Sequence, residues 1–391
     1  MIIDMKEGWE VEKLGDICDI LDSKRKPITK KNRVEGDIPY YGATGVLSYV
    51  KDHLFDEQLV LLGEDGAKWE SGDSSAFIIT GKTWVNNHAH VLRPHRDRIK
   101  DQWLVYNLNG QDLMPFISGM TVPKLNQKNM RQIPVPIPPL EEQKQIVAVL
   151  DKAFAAIDQA KANIEKNLQN AKELFQSKLN EIFTQKGEGW EEKILKEIGN
   201  TQTGSTPPTK DKNNYGTFIP FVKPAHFQDD GSIISGDSML SEKGFKLARL
   251  FKEGSILMVC IGATIGKTGF SSIAVTSNQQ INALTPVGNY EPKFFYYALL
   301  SKDFYNKVIH ASSQATLPII NKSKWEKMTV SFPPEIARQK LIVSQLEKLK
   351  EQCKKLESEY QKKLNNLDEL KKSILQKAFA GELVTAGSKH E

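Results

Sequence analysis

Two short segments of this sequence have residue types and spacings that could bind a phosphate or a metal ion. Residues 262–268, Gly-Ala-Thr-Ile-Gly-Lys-Thr, are similar to a phosphate-binding loop, but only three residues separate the glycines where such a loop has four. His88 and His90 are two residues apart, so both could point the same way from a strand toward a metal ion. No third ligand accompanies them. The sequence therefore favours a tight turn between strands in the first segment and no metal site in the second.

Motifs for covalent or hydrolytic chemistry are missing from the sequence. It contains no Gly-x-Ser-x-Gly nucleophile elbow, no His-Glu-x-x-His zinc motif and no Asn-Pro-Pro-aromatic motif of the amino-methyltransferase type. Its cysteines, Cys18, Cys260 and Cys353, are too widely spaced for a zinc pattern. We therefore predict a non-catalytic chain with no metal or cofactor of its own, and look for a role in recognition.

Positive charge is concentrated in short segments, although the formal net charge of the chain is only +5. Such clusters bind phosphate groups, and neighbouring Asn, Gln and Tyr side chains can read the edges of bases. A solvated loop can carry the same charges without binding a partner, so each cluster alone leaves both alternatives open. The clusters are Lys24, Arg25, Lys26, Lys30, Lys31 and Arg33; Arg93, Arg96, Arg98 and Lys100; and Lys210, Lys212 and Lys223, beside Asn213, Asn214 and Tyr215.

The segments that must position these residues occur twice in the chain. Gly8-Trp9-Glu10 recurs as Gly189-Trp190-Glu191 at an offset of 181 residues, and Pro138-Pro139 recurs as Pro333-Pro334 at an offset of 195. Because offsets that hold over long stretches indicate a duplication, we predict a globular domain followed by a tail, repeated once. The rise in the offset places extra residues inside the second globular part.

Each tail has the composition and periodicity of a long helix. Residues 141–183 contain no Gly or Pro and are rich in strong helix formers. In both tails apolar side chains recur at steps of four and three residues, the pattern of a coiled-coil seam. Because neither helix can bury this stripe alone, we predict that the two pack together, antiparallel; packing of each helix on its own globule is the alternative. The predicted seam is Ile146, Leu150, Ala153, Ile157, Ile164, Leu346, Leu349, Cys353, Leu356, Tyr360 and Leu367.

Short β-type runs and short helical patterns fill the rest of the chain. The predicted strands are residues 59–62, 76–79, 90–92, 254–261 and 281–284, and the predicted short helices are residues 102–109 and 292–301. The fold class is therefore α+β, with two similar α/β domains, a pseudo-two-fold internal repeat, and two long antiparallel helices forming a coiled coil between them. The predicted boundaries are residues 1–137 for the first domain, 138–186 for the first helix, 187–332 for the second domain, and 333–391 for the second helix and a C-terminal tail.

Composition also bears on where the protein acts. The longest strongly apolar stretch is far shorter than the ~20 residues that a membrane span needs. The N-terminus carries acidic residues and lacks the apolar core of a secretory signal. An odd number of widely spaced cysteines is typical of a reducing compartment. We therefore predict a cytoplasmic protein without a membrane partner.

Several segments of the chain form a combined pattern. They are the two Gly-Trp openings, Ile38-Pro39-Tyr40-Tyr41-Gly42-Ala43-Thr44-Gly45, Leu61-Leu62-Gly63-Glu64-Asp65-Gly66-Ala67, Asn278-Gln279-Gln280-Ile281-Asn282-Ala283 and Pro138-Pro139-Leu140-Glu141-Glu142-Gln143. In this combination the sequence resembles the specificity (S) subunit of type I restriction-modification systems over essentially the whole chain. Residues 333–336, Pro-Pro-Glu-Ile, depart from that family's Pro-Pro-Leu-Glu-Glu-Gln form by one extra residue, which leaves the start of the second helix open.

The resemblance implies that the globular parts are target recognition domains, that the helices are spacers, and that the chain itself is not catalytic. It implies three kinds of partner: double-stranded DNA with a bipartite target, two methylation subunits that use S-adenosylmethionine, and restriction (motor and nuclease) subunits that use ATP and Mg. Exposed helix positions outside the seam would then hold the methylation subunits. The predicted DNA contacts are Lys24, Arg25, Lys26, Lys68, Asn86 and His88 in the first domain and Lys210, Lys212, Asn214, Lys267, Asn278 and Gln279 in the second.

Two other functions remain compatible with the residues themselves. One is a coiled-coil scaffold that assembles proteins without reading bases. The other is a self-contained DNA-modifying enzyme, which the missing catalytic motifs disfavour. Clustered cations in both copies favour DNA recognition over the scaffold.

Overall fold

The computed structural model describes residues 6–119, 121–313 and 317–383, and it divides into two compact units. The first unit comprises residues 1–166 and 360–391, and the second comprises residues 167–359. Each unit therefore combines one globular part with the start of one long helix and the end of the other. Residues 384–391 of the predicted C-terminal tail lie outside the described residues. In the part of the chain that is described, no helix is long and apolar enough to cross a membrane.

Two four-stranded sheets form the globular part of the first unit. One has the antiparallel order β2-β9-β6-β7, and the other has the order β4-β3-β8-β5 with β3 parallel to β8; β1 pairs with β10 separately. The elements of this unit among the described residues are β1 (Glu10–Lys13), α1 (Leu14–Ile17), β2 (Cys18–Ile20), β3 (Ile38–Gly42), β4 (Gly45–Val50), β5 (Phe55–Asp56), β6 (Leu59–Gly63), β7 (Ala76–Ile79), β8 (Lys82–Val85), β9 (Ala89–Pro94), α2 (Asp101–Gly110), α3 (Gln127–Met130), β10 (Pro134–Ile137) and the start of α4 (Leu140–Gln185).

The second unit repeats this topology strand for strand. Its sheets have the orders β12-β19-β16-β17 and β14-β13-β18-β15, with β13 parallel to β18, and β11 pairs with β20. Its elements among the described residues are β11 (Glu191–Ile194), α5 (Leu195–Ile198), β12 (Gly199–Thr203), β13 (Tyr215–Val222), β14 (Met239–Leu240), α6 (Glu242–Phe245), β15 (Leu250–Phe251), β16 (Ser255–Val259), β17 (Thr268–Ser271), β18 (Val275–Ser277), β19 (Ile281–Pro286), α7 (Pro292–Leu300), α8 (Lys302–Ala311), α9 (Lys322–Trp325), β20 (Thr329–Phe332) and the start of α10 (Ile336–Phe379).

The predicted duplication is therefore confirmed as a duplication of topology. The predicted strands and short helices match observed elements to within two residues at either end. Leu59, which begins β6, corresponds to Ser255, which begins β16, at an offset of 196. Since Ile38 and Ile219 are still related by 181, the extra residues of the second copy fall between β13 and β16, a stretch that includes α6.

The central strands explain why apolar runs mark this fold. All residues of β6 are buried, and alternate side chains point to opposite faces of its sheet. Val60 and Leu62 join a core shared with α2 and the long helices, whereas Leu59 and Leu61 face the second sheet. A strand covered on both faces has a continuous run of apolar residues. In β16 of the second unit, alternate side chains likewise pack in two different cores.

The long helices run antiparallel in the first unit. Along α4 from Phe154 to Lys161, the contacts on α10 move back from Lys371 to Asp368. The same helix segments also pack on the globular core, so the seam prediction and its alternative each describe part of the packing. The helix α10 begins at Ile336, which settles the start that the sequence left open.

Burial along the helices corrects one position of the predicted seam. Leu356 is 36% exposed, because it lies at the rim of a groove between the helices of the second unit. Phe154 is buried and was missed. The predicted positions that are buried are Ile146, Leu150, Ile157, Leu346 and Cys353, and those that are half-buried are Ala153, Ile164, Leu349, Tyr360 and Leu367.

Candidate nucleic-acid interface

In the first unit, residues 24–33 form a loop, here called the basic loop, that is fixed against the sheet β4-β3-β8-β5. The Tyr40 hydroxyl accepts a hydrogen bond from the backbone N–H of Ile28 at 3.0 Å, and the Trp84 indole donates to the Lys26 carbonyl at 2.6 Å. Arg33 stacks over the Tyr40 ring at 4.2 Å. The backbone is thus held while exposed ammonium groups project outward, an arrangement suited to phosphate contacts. These exposed residues are Lys24, Lys26, Lys30 and Lys31.

Arg25, although it belongs to the same loop, points inward. Its guanidinium donates to Glu64 at 2.5 Å and to the Ala89 carbonyl at 2.7 Å, and it lies 3.3 Å from Asp22. The buried His90 ring meets Asp22 at 2.6 Å. Burial opposes ionisation of Asp22, but hydrogen bonds from His90 and a backbone N–H keep its pKa below the usual range. We call Asp22, Arg25, Glu64 and His90 the buried charge network.

The carboxylates and imidazole of this network lie close enough together to hold a metal ion. Their acceptor oxygens are already occupied by cations, since Arg25 and Lys124 both contact Glu64, the latter at 2.9 Å. His88 does not join them: it precedes β9, so the alternation expected of a strand fails, and its exposed ring contacts Asp65 instead. The two histidines therefore do not converge on a common ligand.

Three predicted DNA contacts are corrected by their burial. Arg25 belongs to the buried charge network, and Asn86 is buried, accepting a hydrogen bond from the backbone N–H of His88 at 2.8 Å. Asn214 is also buried and donates to the Pro208 carbonyl at 3.0 Å. Asn side chains favour such local bonds to turns, which explains why they sit beside loops without facing solvent. The predicted residues Lys68 and His88 are exposed.

In the second unit, α6 adds cations beside the predicted lysines Lys210 and Lys212, both exposed. The Ser241 hydroxyl donates to the Asn213 carbonyl at 2.5 Å, and Lys243 pairs with Asp211 at 2.7 Å. A Cβ on Gly244 would lie 1.9 Å from the Asn214 carbonyl oxygen, so only glycine allows this approach. We call the resulting set the second basic surface; it comprises Lys210, Lys212, Lys243, Lys246 and Arg249.

The three cations of the α6 region were not predicted, because they follow Lys212 by 31 to 37 residues in the chain. The Ser-Glu-Lys-Gly run that starts at Ser241 was the available signal, since serine commonly caps a helix. Ser241 does accept a hydrogen bond from the Gly244 N–H, at 3.1 Å.

The remaining predicted DNA contacts of the second unit are Asn278 and Gln279, which follow β18, and Lys267, which lies between β16 and β17. Gln279 is exposed and accepts a hydrogen bond from Thr206 at 2.5 Å, whereas Asn278 is half-buried and bonds to Gln280. Lys267 is half-buried and pairs with Asp229 at 2.7 Å. It lies in the 262–268 segment, which joins β16 to β17 as the predicted tight turn.

A duplicated α/β fold whose fixed loops present exposed cations defines a two-domain recognition protein. The family model described as "Type I restriction modification DNA specificity domain" matches residues 6–170 and 187–366. This chain belongs to that family.

Known relatives support the assignment over nearly the whole chain. The putative MjaX specificity subunit of Methanocaldococcus jannaschii is 22% identical over 97% of this chain and 95% of its own length. The EcoDI specificity subunit of Escherichia coli is 25% identical over 96% and 88%. A putative type I restriction enzyme specificity subunit of Haemophilus influenzae is 37% identical, but that match covers only 38% of this chain and 39% of the relative.

Solved structures show the same fold. The HsdS subunit from Thermoanaerobacter tengcongensis superposes with a TM-score of 0.61 at 19% identity, covering 97% of this chain and 98% of that one. A chain from a study of the assembly and conformational transition of the type I R-M system gives a TM-score of 0.74 at 20% identity, covering 97% and 99%.

Proposed function

We propose that this chain is the non-catalytic DNA specificity subunit of a type I restriction-modification complex in the cytoplasm. Residues 1–137 and 187–332 each read one half of a bipartite target in double-stranded DNA, and the helices between them set the gap. The observation that carries this proposal is the repeated topology with different exposed cations in each copy: the basic loop in the first unit and the second basic surface in the second. Related scaffolds with different loops suit two unlike half-sites.

Methylation and cleavage are assigned to partners. Two methylation subunits would supply S-adenosylmethionine chemistry, and restriction subunits would use ATP and Mg. The buried charge network fills its own acceptor atoms, and this supports a structural role for it rather than a reaction centre.

A domain exchange tests the proposal. The full chain is reconstituted with its methylation subunits, and residues 1–137 are replaced by the corresponding domain of a relative with a different target. Methylome sequencing should show one half-site changed, with the other half-site and the gap retained. An unchanged motif would favour the protein scaffold, and methyl transfer by the purified chain alone, given labelled S-adenosylmethionine, would favour the enzyme.

The repeat also supports a proposal for the docking surface of the methylation subunits. Gln143 and Gln339 occupy the same place in the two long helices, an offset of 196. At that offset Leu174 corresponds to Leu370, and both are exposed, at 48% and 47%. Two identical partners need equivalent contacts, and exposed leucines on both helices meet that requirement. We infer that Leu370 in the first unit and Leu174 in the second each contact one methylation subunit.

Replacing Leu370 with aspartate is therefore expected to reduce the bound methylation subunits from two to one, and adding Leu174→Asp should remove both. A charge at an interface hot spot weakens binding by about thirtyfold or more. Native mass spectrometry of the reconstituted complex counts the subunits. Asn365→Asp, the same charge on another face of the helix, serves as the control. Retention of two subunits by the double variant would place the docking surface elsewhere.

A further inference from the structure

A short hairpin in the second unit lies within the extra residues that follow β13. Phe227 pairs with Ile233 across its base, and the backbone N–H of Gln228 donates to the Ser232 carbonyl at 2.9 Å. Phe227 is buried and Ile233 half-buried, and both pack in the core between the sheets of this unit. The hairpin comprises residues 227–233, and its base, Phe227 and Ile233, is therefore fixed to the recognition domain.

The tip of this hairpin is attached to helices. Asp230 pairs with Lys354 of α10 at 2.9 Å, and Lys350, one turn earlier, donates to the Asp230 carbonyl at 2.9 Å. The Tyr296 hydroxyl of α7 donates to the Gly231 carbonyl at 3.3 Å. Gly231 has a φ of 78°, and a Cβ there would lie 2.1 Å from the Tyr296 hydroxyl oxygen, so the tip requires glycine.

Of the side chains that join the hairpin tip to α10, Lys350 is half-buried, whereas Asp230 and Lys354 are exposed. Burial disfavours the charged form of Asp230, yet hydrogen bonds from Lys354 and Ser232 hold its pKa far below the usual range. Burial lowers the pKa of Lys350, whose ammonium also lies 6.0 Å from the Phe175 ring. The Asp230–Lys354 pair itself is exposed, with side chains 38% and 58% accessible, so its contribution is modest and is screened by salt.

The first unit holds its globule to the spacer differently. Its counterpart of Lys350 is Phe154, at the helix offset of 196, which is buried and meets the Tyr106 ring edge-on at 5.2 Å. An aromatic contact there replaces the ion pairs of the second unit. The Asp230–Lys354 pair thus belongs to the second copy, since Asp158 of α4 stands at the position of Lys354 at the same offset.

We propose that residues 227–233 form an ionic latch that fixes the second recognition domain on spacer helix α10 and restricts the complex to one gap length. This inference rests on the proposed function. Asp230 is a positioning residue: it contacts the helix and not DNA. The neighbouring Asp229, whose side chain is 94% exposed, pairs with Lys267 and forms no ion pair or hydrogen bond with α10 among the described residues, so it supplies a matched control.

The test compares Asp230→Asn with Asp229→Asn in the full complex, on DNA substrates whose half-sites are separated by the natural gap or by one base pair more or less. Wild type and Asp229→Asn should methylate the natural gap preferentially. Asp230→Asn should reduce that preference by about fivefold, the ratio that corresponds to loss of one partly screened ion pair. The double exchange Asp230→Lys with Lys354→Asp should restore the preference, which a merely structural defect would not do.

Hydrogen exchange of the free chain provides a readout that is independent of DNA. Asp230→Asn should increase exchange in residues 228–232 and around Tyr296, with Asp229→Asn unchanged. If Asp230→Asn and Asp229→Asn showed the same gap preference and the same hydrogen exchange, the proposed latch would be wrong, and the proposed recognition function would be unaffected. If wild type itself shows no preferred target, the proposed function fails instead.

Discussion

Replacing Arg25 with alanine is expected to destabilise the first unit by about 3–5 kcal/mol, the cost of leaving buried carboxylates without their cation. Arg25 contacts Asp22 and Glu64, and none of the three side chains is more than 12% exposed. The network also joins the basic loop to β6 and β9, so its loss should release the loop backbone. Urea unfolding and hydrogen exchange across residues 22–26 and 86–91 measure both effects.

The adjacent residue supplies the control. Lys24 is exposed, so Lys24→Ala should change stability by less than about 0.5 kcal/mol. If Lys24 contacts a phosphate, this variant should instead weaken DNA binding evenly across sequences and lower the salt dependence by about one counterion. The loss of stability in Arg25→Lys should lie between the losses in Arg25→Ala and Lys24→Ala, because an ammonium cannot bind two carboxylates as a guanidinium does. Equal unfolding midpoints for Arg25→Ala and Lys24→Ala would show that the network contributes no stability.

This pair of residues shows how far the sequence could be used for the site. Lys24 and Arg25 are neighbours in one basic cluster, and no periodicity separates them, since the loop contains only single 3-10 turns, at Asp22–Lys24 and Lys30–Asn32. Only the position of Glu64, 39 residues later, decides which cation turns inward. The burial of Asn86 and Asn214 could not be predicted from the sequence either, because their hydrogen bonds to nearby backbone depend on the turn that surrounds them.

Periodic elements were far more predictable. The apolar runs at β6 and β16 reflect continuous burial of strands covered on both faces, and the heptad pattern of α4 and α10 reflects burial that repeats every three to four residues. Leu356 is an exception to the relation between heptad spacing and burial. It occupies a seam position of the heptad pattern but lies exposed at the rim of the groove between the helices of the second unit, because contact with a second helix depends on local side-chain packing as well as spacing.

The two copies use the same framework with different internal chemistry. Where the first has His90 beside the carboxylates of Asp22 and Glu64, the second has Asn282, whose side-chain oxygen accepts a hydrogen bond from Thr203 at 2.8 Å. The strand order is retained although a charged network has been exchanged for a neutral pair. The strand order therefore does not require the network, whose contacts in the first copy hold the basic loop against the sheets.

The junction between globule and helix is, in contrast, the same in both copies. Gln143 is fully buried; its amide donates to the Arg98 and Pro138 carbonyls and accepts from the Lys100 N–H, each at 2.8 Å. Gln339 is equally buried, donating to the Pro333 carbonyl at 2.8 Å and accepting from the Glu291 N–H at 2.9 Å. One side chain in each unit thus ties the first turn of the long helix to the segment that enters α2 or α7.

Gln143→Met is expected to destabilise the start of α4 by about 2–4 kcal/mol, because the volume is nearly kept while buried backbone groups lose their partners. Hydrogen exchange should rise in residues 98–104 and 138–146 but stay unchanged in the second unit, and Gln339→Met should give the converse. Gln145→Met, at an exposed position one residue beyond Lys144, is the control. If Gln143→Met behaved like Gln145→Met, the repeated glutamine would not hold the junction. A local response in each unit would instead show that both recognition domains are fixed to their spacer helices by the same amide.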